Sequence, residues 1–463
     1  MEMNNKNLLL IMCDQLRYDC VGFAGARPVK TPNIDKLARN GAWFNNAYTP
    51  IPVCAPARQS LFGGRRPESF GGLWNFGITH PVRELPVDSF IYPRWLKEHG
   101  YNTGICGKWS VSGIYMPDRF GFDEYVNDGD IDAGINGKYP GYADSYKNGV
   151  FGDPCPVPLE NSRTHALARE ANKVINSFAA RDKPWFVYAD FQEPHLPCRP
   201  SAPFDAMYNP ADIEKWGGFD DEFRGKPYMH KQQVLNWSLE NRTWEEWSRT
   251  VALYYGIVSQ LDDAIGRIID NLERAGQMDK TVVAFTCDHG DLCGSHRMID
   301  KHYVMYEDLT HVPFIIRADG LISPQKFDGY VHNCLDFVPT ILDLLEVDKP
   351  DGVLHGESLA PALTRGAEWA RDYAVSSYNG QQFGLYSSRC IKSGNYKYVW
   401  NLSDTDEFYD LNADPYELDN RIRDASSYVA IAELRVKLYN ELDKCGDQMI
   451  RWTKDQLLKG RKA

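Results

Sequence analysis

Asp14-Gln15, Lys108, His195 and Asp288-His289 each follow a short apolar run, and Cys54 and Arg58 share a proline-rich turn that opens a helix. The runs are NLLLIMC (7–13), NTGIC (102–106), PWFVYADF (184–191) and TVVAFTC (281–287). Strands must end, so one polar residue after a strand means little; Asp, Lys, His and Asp-His in succession mean more. Asp14, Gln15 and Asp288 offer hard oxygen donors, and His289 can donate nitrogen or hydrogen-bond. That set favours Ca²⁺, with Mg²⁺ or Mn²⁺ as alternatives, over zinc. Taken singly, each aspartate is most often a helix N-cap; as a group they point to a cation. Arg58, Lys108 and Lys301 are candidate anion binders and His195 a candidate proton donor, although any one of them alone reads as a solvated charge.

These residues need a scaffold that gathers strand ends. The apolar runs, with VPFIIR (312–317), are rich in β-branched and aromatic residues and do not alternate. Such runs suit a parallel sheet covered on both faces. Helical spacing separates them: TPNIDKLARNG, capped by Thr31 or Asn33 and stopped by Gly41; residues 249–276, with Tyr254, Ile257, Val258, Leu261, Ile265, Ile268 and Leu272 on one stripe; and residues 334–346. The expected fold is α/β, a large doubly wound and mostly parallel sheet domain over residues 1–366. In an open sheet of this kind the strand ends share one crevice. From about residue 367 the texture changes to short strands and turns, then a helix from about Tyr428, giving a smaller C-terminal α+β domain (367–463) on an antiparallel sheet.

The composition limits the function. A net charge of -12 with no basic stripe excludes a primary role in nucleic-acid binding. No segment reaches the roughly 18 apolar residues that span a bilayer. The N-terminal run ends at Asp14 without a cleavage site, so it reads as a buried strand and the protein as cytoplasmic. Eleven cysteines, an odd number with no CxxC pair, argue against a disulfide framework and a structural zinc site. GICGKW fails as a phosphate-cradling loop, since the first glycine is missing and Trp109 replaces Ser/Thr.

CAPAR (54–58) fits a C-x-P-x-R signature, and six further segments agree with it in order: IMCDQLRYDCVGFAG, PNIDKLARNGAWFNNAY, GYNTGICGKW, FQEPHLP, CDHGDLCGSHRMIDKHYVMYE and FYDLNADPYELDN. Together they resemble the formylglycine-dependent sulfatases of the alkaline phosphatase superfamily across essentially the whole chain. The resemblance implies that a maturation enzyme acting on residues 54–58 oxidises Cys54 to formylglycine. The hydrated aldehyde would attack sulfur, expel the alcohol and form a sulfated hemiacetal that its second hydroxyl then breaks. It also implies that Asp14, Gln15, Asp288 and His289 hold the metal with residue 54. Arg58 would position residue 54, Lys108 and Lys301 would neutralise the sulfate, and His195 would protonate the leaving alcohol.

Three departures stand out. Asp14-Gln15 and Asp288-His289 replace the family's usual Asp-Asp and Asp-Asn, as in the branch that resembles choline sulfatases and phosphonate monoester hydrolases. Ser110 stands where the family has a histidine, and His302 or His80 are the residues that could replace it in space. Ser110, Asn75 and His302 are weaker candidates for substrate contact. The expected activity is hydrolysis of a sulfate ester of a small saccharide, exo-acting on sulfated monosaccharides or glycosaminoglycan fragments. The motive is the tryptophans of the rim loops (Trp74, Trp216, Trp237, Trp244, Trp247), which suit sugar stacking unless they pack the loops. The alternatives are a phosphonate monoester or phosphodiester hydrolase, and an inactive sugar-sulfate-binding homologue.

Overall fold

The run at residues 7–13 lacks alternation because both its faces are buried. Leu8, Leu10 and Met12 enter one hydrophobic core, and Leu9, Ile11 and Cys13 enter another on the opposite side. The computed structural model describes residues 6–460 apart from 79 and 381. It places this run as β1 (Asn7–Asp14) inside an eight-stranded sheet. The other strands are β2 (Ala42–Tyr48), β3 (Asn102–Gly107), β4 (Glu124–Asn127), β5 (Trp185–Pro194), β6 (Thr281–Cys287), β7 (Phe314–Arg317) and β8 (Gln325–His332). Their order is β4-β3-β5-β1-β6-β7-β2-β8. β2, β4 and β8 escape the apolar-run criterion because they lie toward the sheet edges and are only partly buried.

Every strand runs in one direction except β7, which is antiparallel to both β6 and β2. This corrects the expectation of a parallel strand at 312–317, and it has a consequence for the site. A chain that leaves the C-terminal end of β6 and returns antiparallel stays at one edge throughout residues 288–313. Asp288, His289 and Lys301 therefore come from a single connection.

The long helix Trp244–Arg274 starts earlier than its apolar stripe, because Thr243 and Glu246 form a capping box. The helix Pro32–Asn40 is not capped by Thr31, whose hydroxyl binds Gly22 N and Asp35 instead. Its free N–H groups are met by Asp262 of the long helix, at 3.1 Å from Asn33 N and 2.8 Å from Ile34 N. The helix expected at 334–346 spans Phe337–Leu344. After it, β9 (Tyr373–Gly380), β10 (Tyr386–Ser393), β11 (Tyr396–Asn401) and β12 (Glu407–Asp410) form a separate antiparallel sheet. Val375, Ile391, Tyr398 and Trp400 pack there against Ile431, Leu434, Leu438 and Leu442 of the helix Tyr428–Lys444. β9 also grips the large sheet's edge, with Ser377 N donating to Pro50 O and Ser376 Oγ to Thr49 O, just ahead of Cys54. All eleven cysteines are free thiols. Among the described residues no helix is long and apolar enough to cross a membrane.

Candidate active site

Cys54 is the first residue of the helix Cys54–Gly63, all of whose residues are buried. Pro56 costs this helix nothing, because N–H groups in the first turn have no intrahelical acceptor. Another of them, Ala55 N, donates to Asn75 Oδ1 at 2.9 Å. Four residues on, one turn below Cys54 on the same face, is Arg58. Its guanidinium is fully buried and reaches three neighbouring strands. It donates to Asp14 Oδ2 at 3.0 Å (β1), to Asp288 Oδ2 at 3.2 Å (just past β6), and to Asp190 and Tyr188 of β5. Arg58 thus lies beneath Cys54 and ties the carboxylates together.

Above it, side-chain donor atoms of Asp14, Cys54, Asp288 and His289 lie within 4.8 Å of one another. His289 Nδ1 faces its neighbour's carbonyl, Gly290 O, at 2.8 Å, which turns Nε2 toward Cys54 Sγ at 3.4 Å. Burial, with Asp14 close by, pushes the Asp288 carboxyl above its ordinary range. Buried oxygens and one imidazole nitrogen converging where carboxylates crowd are a donor set that a divalent cation fits. Gln15, in the left-handed region at φ 68°, bonds through its backbone N to Asp288 Oδ1 at 3.1 Å. Its side chain turns to Asp291 and Lys301, with Oε1 accepting from Lys301 Nζ at 2.9 Å.

Two lysines face this cluster. Lys108 Nζ is 2.6 Å from Asp14 Oδ2. Its approach depends on Gly107, at φ 110°, where a Cβ would strike the Asp190 carbonyl that accepts from Lys108 N. Lys301 Nζ contacts Asp300 Oδ1 at 3.1 Å and His195 Nε2 at 3.2 Å. Burial opposes the charge on Lys301, yet Asp300 and the anionic groups of the cluster raise its pKa well above the ordinary value. Asp300, His302 and Tyr303 all adopt positive φ around it, at 66°, 90° and 62°. Each such residue stores about 1 kcal/mol or more of strain, a feature that concentrates at functional sites. Burial and Asp14 disfavour a Cys54 thiolate, but Lys301, Lys108 and His289 outweigh them and hold the thiol well below its ordinary pKa.

Cys54, Asn75, Lys108, Ser110, His195 and Lys301 line one cavity of about 350 Å³, with His302 also on its wall. His302 Nδ1 lies 3.3 Å from Tyr378 Oη and Nε2 3.5 Å from Asp300 Oδ2. His80, in contrast, is exposed and is not among the residues lining this cavity. Asp190, Asp291 and Asp300 are participants that the strand-end reading missed. Asp190 alone carried a signal, as a carboxylate inside an apolar run. The tryptophan expectation needs correction. Trp216 and Trp247 are buried at 2% and 0% exposure, and Trp244 packs on Trp216 and Phe219. Trp216 and Trp247 pack the interior and cannot stack on a sugar; Trp74, Trp237 and Trp244 are partly exposed.

Residues 6–347 match the family model described as Sulfatase, and residues 294–445 match that of the C-terminal region of N-sulphoglucosamine sulphohydrolase. An arylsulfatase of Clostridium perfringens is 30% identical over 477 residues, covering 94% of each chain. An N-acetylglucosamine-6-O-sulfatase of Bacteroides thetaiotaomicron is 23% identical, covering 90% of this chain and 83% of its own length. Among solved structures, the phosphonate monoester hydrolase of Agrobacterium radiobacter superposes with a TM-score of 0.81 at 24% identity, covering 96% of this chain and 97% of its own.

Proposed function

From the premise that this chain belongs to the sulfatase family and is a hydrolase of sulfuric esters, we propose that it cleaves the sulfate ester of a small saccharide, with residue 54 as nucleophile after oxidation to formylglycine. One observation carries the reading: Cys54, Asp14, Asp288 and His289 converge within 4.8 Å at the floor of a cavity whose walls carry Lys108, Lys301 and His195. The sugar-sulfatase relative supports a saccharide substrate.

Asp14, Asp288 and His289, with residue 54 and with Gln15 alongside, would hold the cation; Ca²⁺ suits the oxygen-rich set, with Mg²⁺ or Mn²⁺ as alternatives. When bound, the cation supplies Lewis acidity toward the nucleophile oxygen and the sulfate, and formylglycine supplies two geminal hydroxyls in place of one thiol. The chain's own residues do the rest. Lys108 and Lys301 meet the charge on the sulfate oxygens in a site that water only partly enters. Arg58 keeps Asp14 and Asp288 aligned from below. His195 Nδ1 donates to Leu196 O at 2.7 Å, so Nε2 faces the site beside Lys301 Nζ and, in the imidazolium form, gives its proton to the leaving oxygen. Cys54 is only 5% exposed within a buried helix. A maturation enzyme therefore has to act on residues 54–58 before they fold.

The second reading, a phosphonate monoester hydrolase, draws on the Gln15 and His289 variants and the shared fold. Turnover of matured protein on aryl sulfate and aryl phosphonate esters, measured side by side, separates them. A dominant sulfate rate is expected; a dominant phosphonate rate, or activity surviving in Cys54→Ala, would overturn the proposal.

A further inference from the structure

His195 belongs to two cavities. One is the catalytic cavity; the other, of about 220 Å³, lies on its far side and is bounded by Tyr142, Tyr146, Arg163, Glu193 and Arg199. The two arginines there differ. Arg163 is tied to Gln192, to Asp128 at 3.1 Å and to Asp132 at 3.2 Å. The Arg199 guanidinium carbon lies over the Tyr146 ring, 3.7 Å from its centroid; the side chain is partly exposed, but its Nε is buried, and among the described residues Arg199 has neither a hydrogen bond nor an ion pair. A buried N–H without an acceptor is costly. A guanidinium held over an aromatic face by its carbon leaves N–H groups free to take a carboxylate or sulfate. Beside it, Glu193 Oε2 is buried and also lacks a partner, although burial raises the pKa of that carboxyl despite nearby Arg163. A free guanidinium, a free carboxyl acceptor and two tyrosines around a space for one ring match a polyol that carries an anion.

Resting on the sulfatase reading above, we infer that this second cavity is a subsite for the leaving-group side of the substrate, in which Arg199 binds an anionic substituent, a carboxylate or a second sulfate, on a sugar ring whose hydroxyls meet Glu193. The ring belongs on this side because His195, which faces the leaving oxygen, is the shared wall.

The test compares wild type and Arg199→Met on 4-nitrophenyl sulfate, on a sulfated disaccharide with a neutral neighbouring ring, and on two disaccharides whose neighbouring ring carries a carboxylate or a second sulfate. For one or both anionic disaccharides kcat/KM should fall about 10- to 100-fold, through KM. The other two substrates should change by less than about twofold, and Arg199→Lys should recover part of the loss. The arm that falls identifies the anion. Equal loss on all substrates, or none on the anionic pair, overturns the subsite. If wild type turns over none of them, the sulfatase reading fails and the subsite is judged separately. Calorimetry on Cys54→Ala protein should then show both anionic disaccharides binding more tightly than the neutral one, a preference that Arg199→Met abolishes. Binding that is equal, or unchanged by Arg199→Met, overturns it.

Discussion

Two of the buried clusters of ionisable groups among the described residues are built to opposite plans. In the first, Arg58 underlies Asp14, Asp190 and Asp288, and the charges above it open onto a cavity: the side chains of Lys108 and His195 are 15% and 21% exposed. The second joins the small sheet to the large one. There Lys397 meets Glu307 at 3.0 Å and Glu417 at 2.9 Å, Lys226 meets Asp221, His296 stacks on Tyr306 and reaches Asp221 at 2.7 Å, and Glu407 faces His230 and Tyr409. The side chains of Lys397 and Lys226 are fully buried. Buried charge alone therefore does not mark a site. The first cluster differs because Cys54, Lys108, His195 and Lys301 at its upper side line open space, whereas the second cluster meets its charges within the protein and serves as a clamp.

The largest effect should come from removing each cluster's central cation. Arg58→Met and Lys397→Met each leave buried carboxylates uncompensated and should cost about 3–5 kcal/mol in denaturant unfolding. Only Arg58→Met should also abolish aryl sulfate turnover per folded molecule; equal catalytic loss in both would erase the distinction. Next, a chelator should lower the melting temperature through the first cluster alone. At a hundredfold excess over Kd a bound cation adds about 2.7 kcal/mol. Asp288→Asn should remove the chelator's effect and Asp221→Asn should preserve it.

Acid acts on the second cluster. Burial opposes the ionised form of Asp221, yet His296 and Lys226 hold its carboxyl at about 2, below the roughly 3.9 of an unfolded chain. A depressed folded pKa means stability that is present above the unfolded value. It should be lost as pH falls from about 4 through about 2, and Asp221→Asn should flatten that loss in melting curves. The smallest effect is at Ser110, on the cavity wall. Ser110→Ala should lower turnover about two- to tenfold, the worth of one hydrogen bond; loss as complete as in Cys54→Ala would make the hydroxyl indispensable.

The candidate site was largely legible because its residues follow apolar strands, and a parallel sheet brings such strand ends to one edge. Asp190 was hidden because it sits inside β5 and meets Arg58 only through register, opposite Gly107 on one side and Met12 on the other. The reversal of β7 was hidden as well, since a four-residue buried strand of three apolar residues and Arg317 carries no directional signal. Trp216 and Trp247 misled for a related reason: Trp216 joins the core on one face of the large sheet, and Trp247 joins a smaller core with Phe219, Leu292, Met298 and Tyr306. Composition does not separate a rim from the packing beneath it. Arg199 gave no local signal, because the absence of a partner is a property of the folded surroundings.

The central claim is that residue 54 works as formylglycine. Co-expression with graded amounts of a maturation enzyme yields preparations in which mass spectrometry of the peptide spanning residue 54 gives the fraction of aldehyde. Aryl sulfate turnover per molecule should rise in proportion to that fraction and extrapolate to zero at none. Turnover independent of the aldehyde fraction would contradict the account.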